Sequence, residues 1–163
     1  MTVQLRKLEA KDAPFMLEWM HDPSINCFFR FNASEMTLDK CIDFINLFDG
    51  NVHFAIVDDN DEYLGTVSLK NITEKDAEYA ISTRKKAHGT GTALRATEMI
   101  LKYAFSELKL ARVYLNVLVD NKRANAFYKK AGFVFWYAEK NAIDIKGETK
   151  DLNWYYIDSD MFL

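Results

Sequence analysis

The chain has 163 residues, of which 49% are hydrophobic, 14% aromatic and 28% charged. Those proportions are ordinary for a globular protein with a well-packed interior and exclude intrinsic disorder. Net charge is −3, so the molecule as a whole does not attract nucleic acid or anionic lipid, and any anion site must be a local basic patch. The length fits one domain over residues 1–163. Two cysteines, Cys27 and Cys41, lack CxxC spacing and read as reduced thiols of a cytoplasmic protein. The opening residues carry no apolar leader, and the longest unbroken apolar stretch, Phe133 to Ala138, falls far short of the ~20 residues of a membrane span. No membrane or nucleic-acid partner is expected.

Val3 to Leu8 alternates like a strand. Asp12-Ala13-Pro14 opens a first helix, with Phe15, Met16 and Trp19 as its apolar stripe, and Asp22-Pro23 ends it. Ile25 to Phe31 reads as irregular and crowded with phenylalanine. A second helix starts near Thr37, carrying Leu38, Cys41, Ile42 and Ile45. Val52–Val57 and Tyr63–Leu69 follow as antiparallel strands. The acidic tetrad Asp58 to Asp61 between them lacks the glycine and closing glutamate of a calcium loop, so it reads as a solvated turn and no metal site is expected.

Ala77–Thr83 is the next strand, leading into a long helix over Thr92 to Leu108 whose expected buried face is Leu94, Met99, Ile100, Leu101, Ala104 and Phe105. Ala111–Val119 is a strand whose apolar run predicts burial on both faces. Asp120-Asn121 caps a short helix bearing Ala124, Phe127, Tyr128 and Ala131, closed by Gly132. Phe133–Ala138 and Asn153–Ile157 are the last strands, separated by a polar loop around Lys146-Gly147. This order predicts an α/β fold: a mixed sheet of about six to seven strands flanked by about four helices on both faces.

The chemistry concentrates in two segments. Arg84 to Arg95 holds four cations (Arg84, Lys85, Lys86 and Arg95), no acid, and Gly89 and Gly91 where a strand becomes a helix. Unpaired amides and the partial positive charge of a helix N-terminus attract anions, and glycine lets a phosphate approach them. A Rossmann fingerprint fails at Leu94, and Thr92-Ala93 does not match a Walker loop. Two readings remain open: a pyrophosphate cradle, or a tight turn with a solvated basic rim. The second segment, Asn121 to Phe133, reads by itself as a capped helix with an apolar stripe.

Together the two segments resemble the GNAT superfamily of acetyl-CoA-dependent N-acetyltransferases. Lys86-Ala87-His88-Gly89-Thr90-Gly91 is similar to its (Gln/Arg)-x-x-Gly-x-(Gly/Ala) motif, and Asn121 to Phe133 to its N-x-x-A-x-x-F/L-Y-x-x-x-G-F segment, in the family's order and with a strand between. Leu17 to Pro23 and Gly65 to Ile72 resemble the branch of ribosomal-protein N-terminal acetyltransferases and bacterial amino-sugar acetyltransferases, and Leu69 to Ile72 leans to the latter. The departure is Lys86, which keeps the charge but cannot clamp a phosphate bidentately.

The resemblance implies a sheet splayed in its middle and a direct transfer from acetyl-CoA to a primary amine through a tetrahedral intermediate. It places the coenzyme against Ile81, Thr83, Lys86, Ala87, His88, Gly89, Thr90, Gly91, Thr92, Asn121, Ala124, Phe127 and Tyr128. Tyr128 matches the position whose phenol faces the thioester sulfur, where it either protonates the thiolate or merely packs. Glu78 is the first candidate for the base, with Asp76 on the same strand face in reserve and a water relay as the alternative. Phe28, Phe29 and Phe31 fall in the segment that would wall the acceptor, unless they are core; Trp154, Tyr155 and Tyr156 would line the opposite wall, and His21 would reach the acceptor. His88 serves the anion, and His53 has no companion suggesting a metal site or triad. The expected partner is a small-molecule amine or amino sugar, bound by a monomer or homodimer. A protein N-terminal acetyltransferase and a non-catalytic acyl-CoA module are the competing readings.

Overall fold

The computed structural model describes residues 2–29 and 31–162. Strands are β1 (Gln4–Lys7), β2 (Val52–Val57), β3 (Tyr63–Lys70), β4 (Asp76–Thr83), β5 (Arg112–Leu118), β6 (Val134–Ile145) and β7 (Glu148–Asp158). Helices are α1 (Ala13–Met20), α2 (Pro23–Asn26), α3 (Leu38–Asn46), α4 (Thr92–Ser106) and α5 (Lys122–Lys130). The strands form one mixed sheet in the order β1-β2-β3-β4-β5-β7-β6. Every neighbouring pair is antiparallel except β4 and β5.

Strand alternation divides the interior in two. Ile56, Val67, Leu69, Ala77, Tyr79, Val113 and Leu115 pack with Ile100, Leu101 and Ala104 of α4 on one face. Ala55, Val57 and Tyr63 pack with Met16, Trp19, Met20 and Cys41 of α1 and α3 on the other. Helices therefore cover both faces, as the element order predicts. No helix among the described residues is long and apolar enough to cross a membrane.

The feature that makes room for a ligand is the junction of β4 and β5. They pair through only three residues, Asp76 with Arg112, Ala77 with Val113 and Glu78 with Tyr114. Beyond them β4 stays with β3 as far as the Gly65–Thr83 pair, and β5 stays with β7 as far as Leu118–Leu152. The two halves of the sheet part from Tyr79 onward, which is the splay the family resemblance implies.

Several expectations are corrected. The segment after Asp22 is not wholly irregular: the carboxylate of Asp22 accepts from the Ser24 amide at 2.9 Å and Pro23 occupies the first helical position, so the pair that ends α1 also starts α2. The buried face of α4 is Ala96, Thr97, Ile100, Leu101 and Ala104, whereas Met99 is exposed and Leu94 and Phe105 are half-buried. Small residues face the sheet there because the helix lies close against it. Strand β5 buries Val113, Leu115 and Val117 on one face, while on the other only Leu118 at its end is buried and Arg112, Tyr114 and Asn116 are half-buried, Arg112 and Tyr114 beside Trp136. The last two strands are far longer than their apolar runs, because polar residues continue the β6–β7 ladder out to the Ile145–Glu148 pair, leaving Lys146-Gly147 as the whole turn.

Gly65 on β3 is where the sheet permits no side chain. A Cβ there would lie 2.5 Å from the Ser82 carbonyl oxygen and 2.9 Å from Thr83 Cα. Gly65→Ala is therefore expected to cost about 1–3 kcal/mol of stability, read as a lower urea midpoint, because backbone on β4 must move.

Candidate functional site

The gap between β4 and β5 is a cleft of about 650 Å³. Its walls are Ile81, Ser82 and Thr83 of β4, the loop from Ala87 to Gly91, the first turn of α4, and Asn121, Ala124, Phe127 and Tyr128 of α5. Sequence reasoning places these two segments together and the structure does so. Lys86, Thr90 and Thr92 are not part of this lining. Lys86 pairs with Glu62 on the far side of the loop. Thr90 donates to the Ala87 carbonyl at 2.6 Å and contacts the buried Thr92 hydroxyl at 2.7 Å, bracing the loop from within.

Helix α4 begins unlike the helices flanking it in sequence. Thr37 Oγ1 caps α3 by accepting from the Lys40 amide, and Asn121 Oδ1 caps α5 by accepting from the Ala124 amide. The cap of α4 is Gly91, at φ 82°, which has no side chain to occupy the helix end. Gly89 has φ 76°, and a Cβ on either glycine would meet nothing within 4 Å. The cradle is bare, uncapped and at the positive pole of a 15-residue helix, which fits a diphosphate.

The cations at this cleft are not the expected ones. Arg84 is buried and turned away, donating to Glu18 at 2.7 Å, Glu62 at 3.2 Å and the Tyr63 carbonyl at 2.9 Å. Its guanidinium holds the Glu18 carboxyl below the usual carboxylate range. Lys122, Arg123 and Lys130 of α5 line the cleft instead. Their signal was present in the second segment, in the Lys122-Arg123 pair directly after the cap, but which cations face the cradle depends on how α5 docks. Asn125 settles that docking: it donates to the Leu118 and Asn121 carbonyls and accepts from Tyr155 and Asn153. Arg123 also donates to His88 Nδ1 at 3.2 Å, and burial, with Arg123 and Lys85 beside it, pushes the His88 pKa below its usual value. His88 is thus a neutral acceptor that orients Arg123 rather than a second cation.

Tyr128 lines the cleft from α5. Its ring packs edge-on against Tyr79 at 5.9 Å and against Phe133 at 6.0 Å. Tyr79 is fully buried, bonded to Thr97 at 2.7 Å, and held neutral by burial, so it serves as a rigid backing for Tyr128.

A second cavity, about 370 Å³, lies on the other face of the sheet beneath α1 and α3. Ile81 and Ser82 of β4 belong to both cavities, so they meet at that strand. The phenylalanine cluster divides between them: Phe28 and Phe29 line the cleft and Phe31 the second cavity, with Phe29 and Phe31 stacked at 5.5 Å. Glu78 lines neither. Its carboxylate is held by Asn71 at 3.2 Å and by Lys70 at 3.5 Å, and Lys70 in turn lines the second cavity. Asp76 accepts from the Thr73 hydroxyl at 2.8 Å in the turn before β4.

His21 bonds the Met36 carbonyl at 2.8 Å, fixing a wall residue instead of reaching inward. Tyr155 is buried in the core, while Trp154 stacks on Tyr137 and donates to Glu139 on the β6–β7 surface; with Tyr156 they line neither cavity. Sequence reasoning missed His53 and Ser68. They are opposite one another across β2 and β3, His53 Nδ1 lies 2.6 Å from Ser68 Oγ, and His53 Nε2 is buried without a hydrogen-bond partner among the described residues. A lone histidine on a strand carries no spacing signal; only the register supplies its companion.

A seven-stranded mixed sheet split at one parallel junction carries a bare helix cap at the mouth of the split, an arrangement suited to an anionic ligand. A family profile described as "Acetyltransferase (GNAT) domain" matches residues 2–134, and the chain belongs to that family. It is 29% identical over 139 residues to the Escherichia coli spermidine N(1)-acetyltransferase, covering 81% of this chain and 73% of that protein. Acetyltransferase PseH of Campylobacter jejuni is 23% identical over 137 residues, covering 83% and 85%. Among solved structures, the Vibrio cholerae spermidine N-acetyltransferase in complex with CoA and spermine superposes with a TM-score of 0.88 at 25% identity, covering 98% of this chain and 97% of that one. The chain is an N-acetyltransferase that uses acetyl-CoA.

Burial pushes the His53 pKa below the ordinary value of 6.5. The folded state then binds fewer protons than the unfolded one, so its contribution to stability is complete above pH 6.5 and is lost as pH falls below it. The urea midpoint is expected to drop between pH 7 and 5. His53→Gln should reduce that drop, leaving the share due to His88.

Proposed function

We propose that this enzyme transfers acetyl from acetyl-CoA directly to the primary amine of a small molecule or amino sugar. The observation that carries the reading is the meeting of two cavities at Ile81 and Ser82. One has a candidate phosphate cradle at its mouth, and the other is bordered by side chains of α1, α3 and the residues between them. A cavity of about 370 Å³ suits a small acceptor better than an extended peptide, which disfavours protein N-terminal acetylation. When bound, acetyl-CoA supplies an activated thioester. Gly89, Gly91 and the first turn of α4 would receive its diphosphate, with Lys122 and Arg123 alongside. The edge of β4 from Ile81 to Thr83, released from β5, offers main-chain groups to the pantetheine arm.

Two proton movements remain for side chains. Tyr128 holds a proton on its phenol oxygen in the cleft and gives it to the departing sulfur. A phenol titrating near ~10 is well matched to a thiol for that exchange. The attacking amine must be neutral, and Glu78 is the base in this reading, acting through water because Lys70 and Asn71 hold its carboxylate. The phenol also argues for an enzyme over an acyl-CoA sensor, since binding alone does not require it.

Thiol release from acetyl-CoA in the presence of small primary amines tests the reading. Tyr128→Phe is expected to lower kcat by about 10²-fold or more with CoA affinity unchanged. Equal losses in both would reduce Tyr128 to a packing residue. Gly89→Val should weaken CoA binding by about tenfold or more, equivalent to about 1.4 kcal/mol, in equilibrium titration. Unchanged affinity would overturn the phosphate cradle.

A further inference from the structure

The lining of the second cavity selects the amine, an inference that rests on the acyl-transfer reading of the first cleft. Its walls are Met16, Trp19, Met20, Phe31, Met36 and Phe44, contributed by α1, α3 and the residues between. Its floor on the sheet is Thr66, Ser68, Ala80, Ile81 and Ser82, with the His53 imidazole beside Ser68. The charged lining residue among those described is Lys70, a cation, and no described lining residue is a carboxylate. Glu78, near the Lys70 end, is already held by Lys70 and Asn71 and is not part of the lining. The volume, about 370 Å³, is at the lower end of small-molecule sites, which run from ~300 to ~1,000 Å³.

Each property bears on the acceptor. A polyamine would bring further ammonium groups into a space that offers thioethers and aromatic rings and no carboxylate among its described lining, Glu78 nearby being taken up by Lys70 and Asn71; buried cations need carboxylate partners. A sugar would bury several hydroxyls against the same methionines. The hydroxyls of Thr66 and Ser68 are already bonded to Tyr63 and His53, leaving only Ser82, Lys70 and His53 Nε2 of the described lining at the sheet to pair them. A hydrocarbon body fits, because methionine adapts its shape to apolar ligands and aromatic faces supply contact area. The polar atoms lie on one side only, at the sheet, where Ser68 and His53 stand beside the strand shared with the coenzyme cleft. An amine entering with its apolar body under α1 would therefore present its nitrogen to β4.

We propose that the second cavity binds a monoamine with an apolar body, an alkyl or aryl-alkyl amine, and that the enzyme acetylates this class in preference to polyamines and amino sugars. The names of several relatives would suggest a polyamine; the lining of this cavity disagrees with that suggestion for this chain.

The experiment compares n-hexylamine, phenethylamine, spermidine and glucosamine as acceptors for the full chain, by thiol release from acetyl-CoA, with CoA binding measured separately. The expected result is a kcat/KM for the first two at least about tenfold above the others. Ala80→Asp, which places a carboxylate on the floor, should raise KM for phenethylamine and shift the preference towards spermidine. Should that variant fail to fold, Phe31→Ala removes a half-exposed wall and is expected to raise KM for phenethylamine with kcat little changed. Preference for spermidine or glucosamine overturns the inference while leaving acetyl transfer intact. Binding of CoA without turnover of either apolar amine also overturns it. Absence of CoA binding would overturn the underlying reading instead.

Discussion

The structure turns on a ladder that stops early. An antiparallel neighbour holds β4 from Glu78 to Thr83 and another holds the whole of β5, yet the two strands pair with each other through three residues only. A parallel pair left unfinished exposes main-chain groups along its inner edges, and such groups demand partners. The fold leaves that demand at the mouth of a cleft, beside a helix whose cap is a glycine. In the proposed reading, cofactor site and sheet defect are one feature.

Around that opening the charges are sorted. Arg84 and Lys86 follow directly on β4, but both are spent on Glu18 and Glu62, stitching the loop to α1 and to the start of β3. Lys122, Arg123 and Lys130 come from a different helix and face the cleft. The loop that shapes the cradle is thus anchored by one group of cations while another borders the space, so anchoring and anion attraction do not compete for the same side chains. On the opposite face of the sheet the second cavity has the reverse character, with methionine and aromatic walls. A polar ligand on one side of β4 and an apolar one on the other can meet at Ile81 and Ser82 without sharing a wall chemistry.

Much of this was legible from residue order. Gly89 and Gly91 between a strand and a helix, and Asn121 through Tyr128 after the next strand, identified both walls of the cleft, because their local geometry (positive φ, a side-chain cap, an apolar stripe) is written in residues adjacent in the chain. Where reading failed, the answer depended on partners distant in sequence. Arg84 looked like part of a basic rim to the cradle until Glu18, from the first helix, was beside it. Tyr155 looked like a pocket wall until strand alternation turned it into the core. Glu78 kept its place on the expected strand face, yet Lys70 and Asn71 took up its carboxylate.

By itself the sequence determined the kinds and order of the elements, the uncapped start of α4 and the membership of the two motif segments in one site. These are consequences of backbone conformation and short-range periodicity, which a few consecutive residues decide. Tertiary structure alone decided which cations border the cleft, that His53 finds Ser68 across two strands, and that six apolar side chains from three segments line a cavity free of described carboxylates. Register and helix docking set those outcomes, and both are minimised over the whole molecule rather than over any stretch of it.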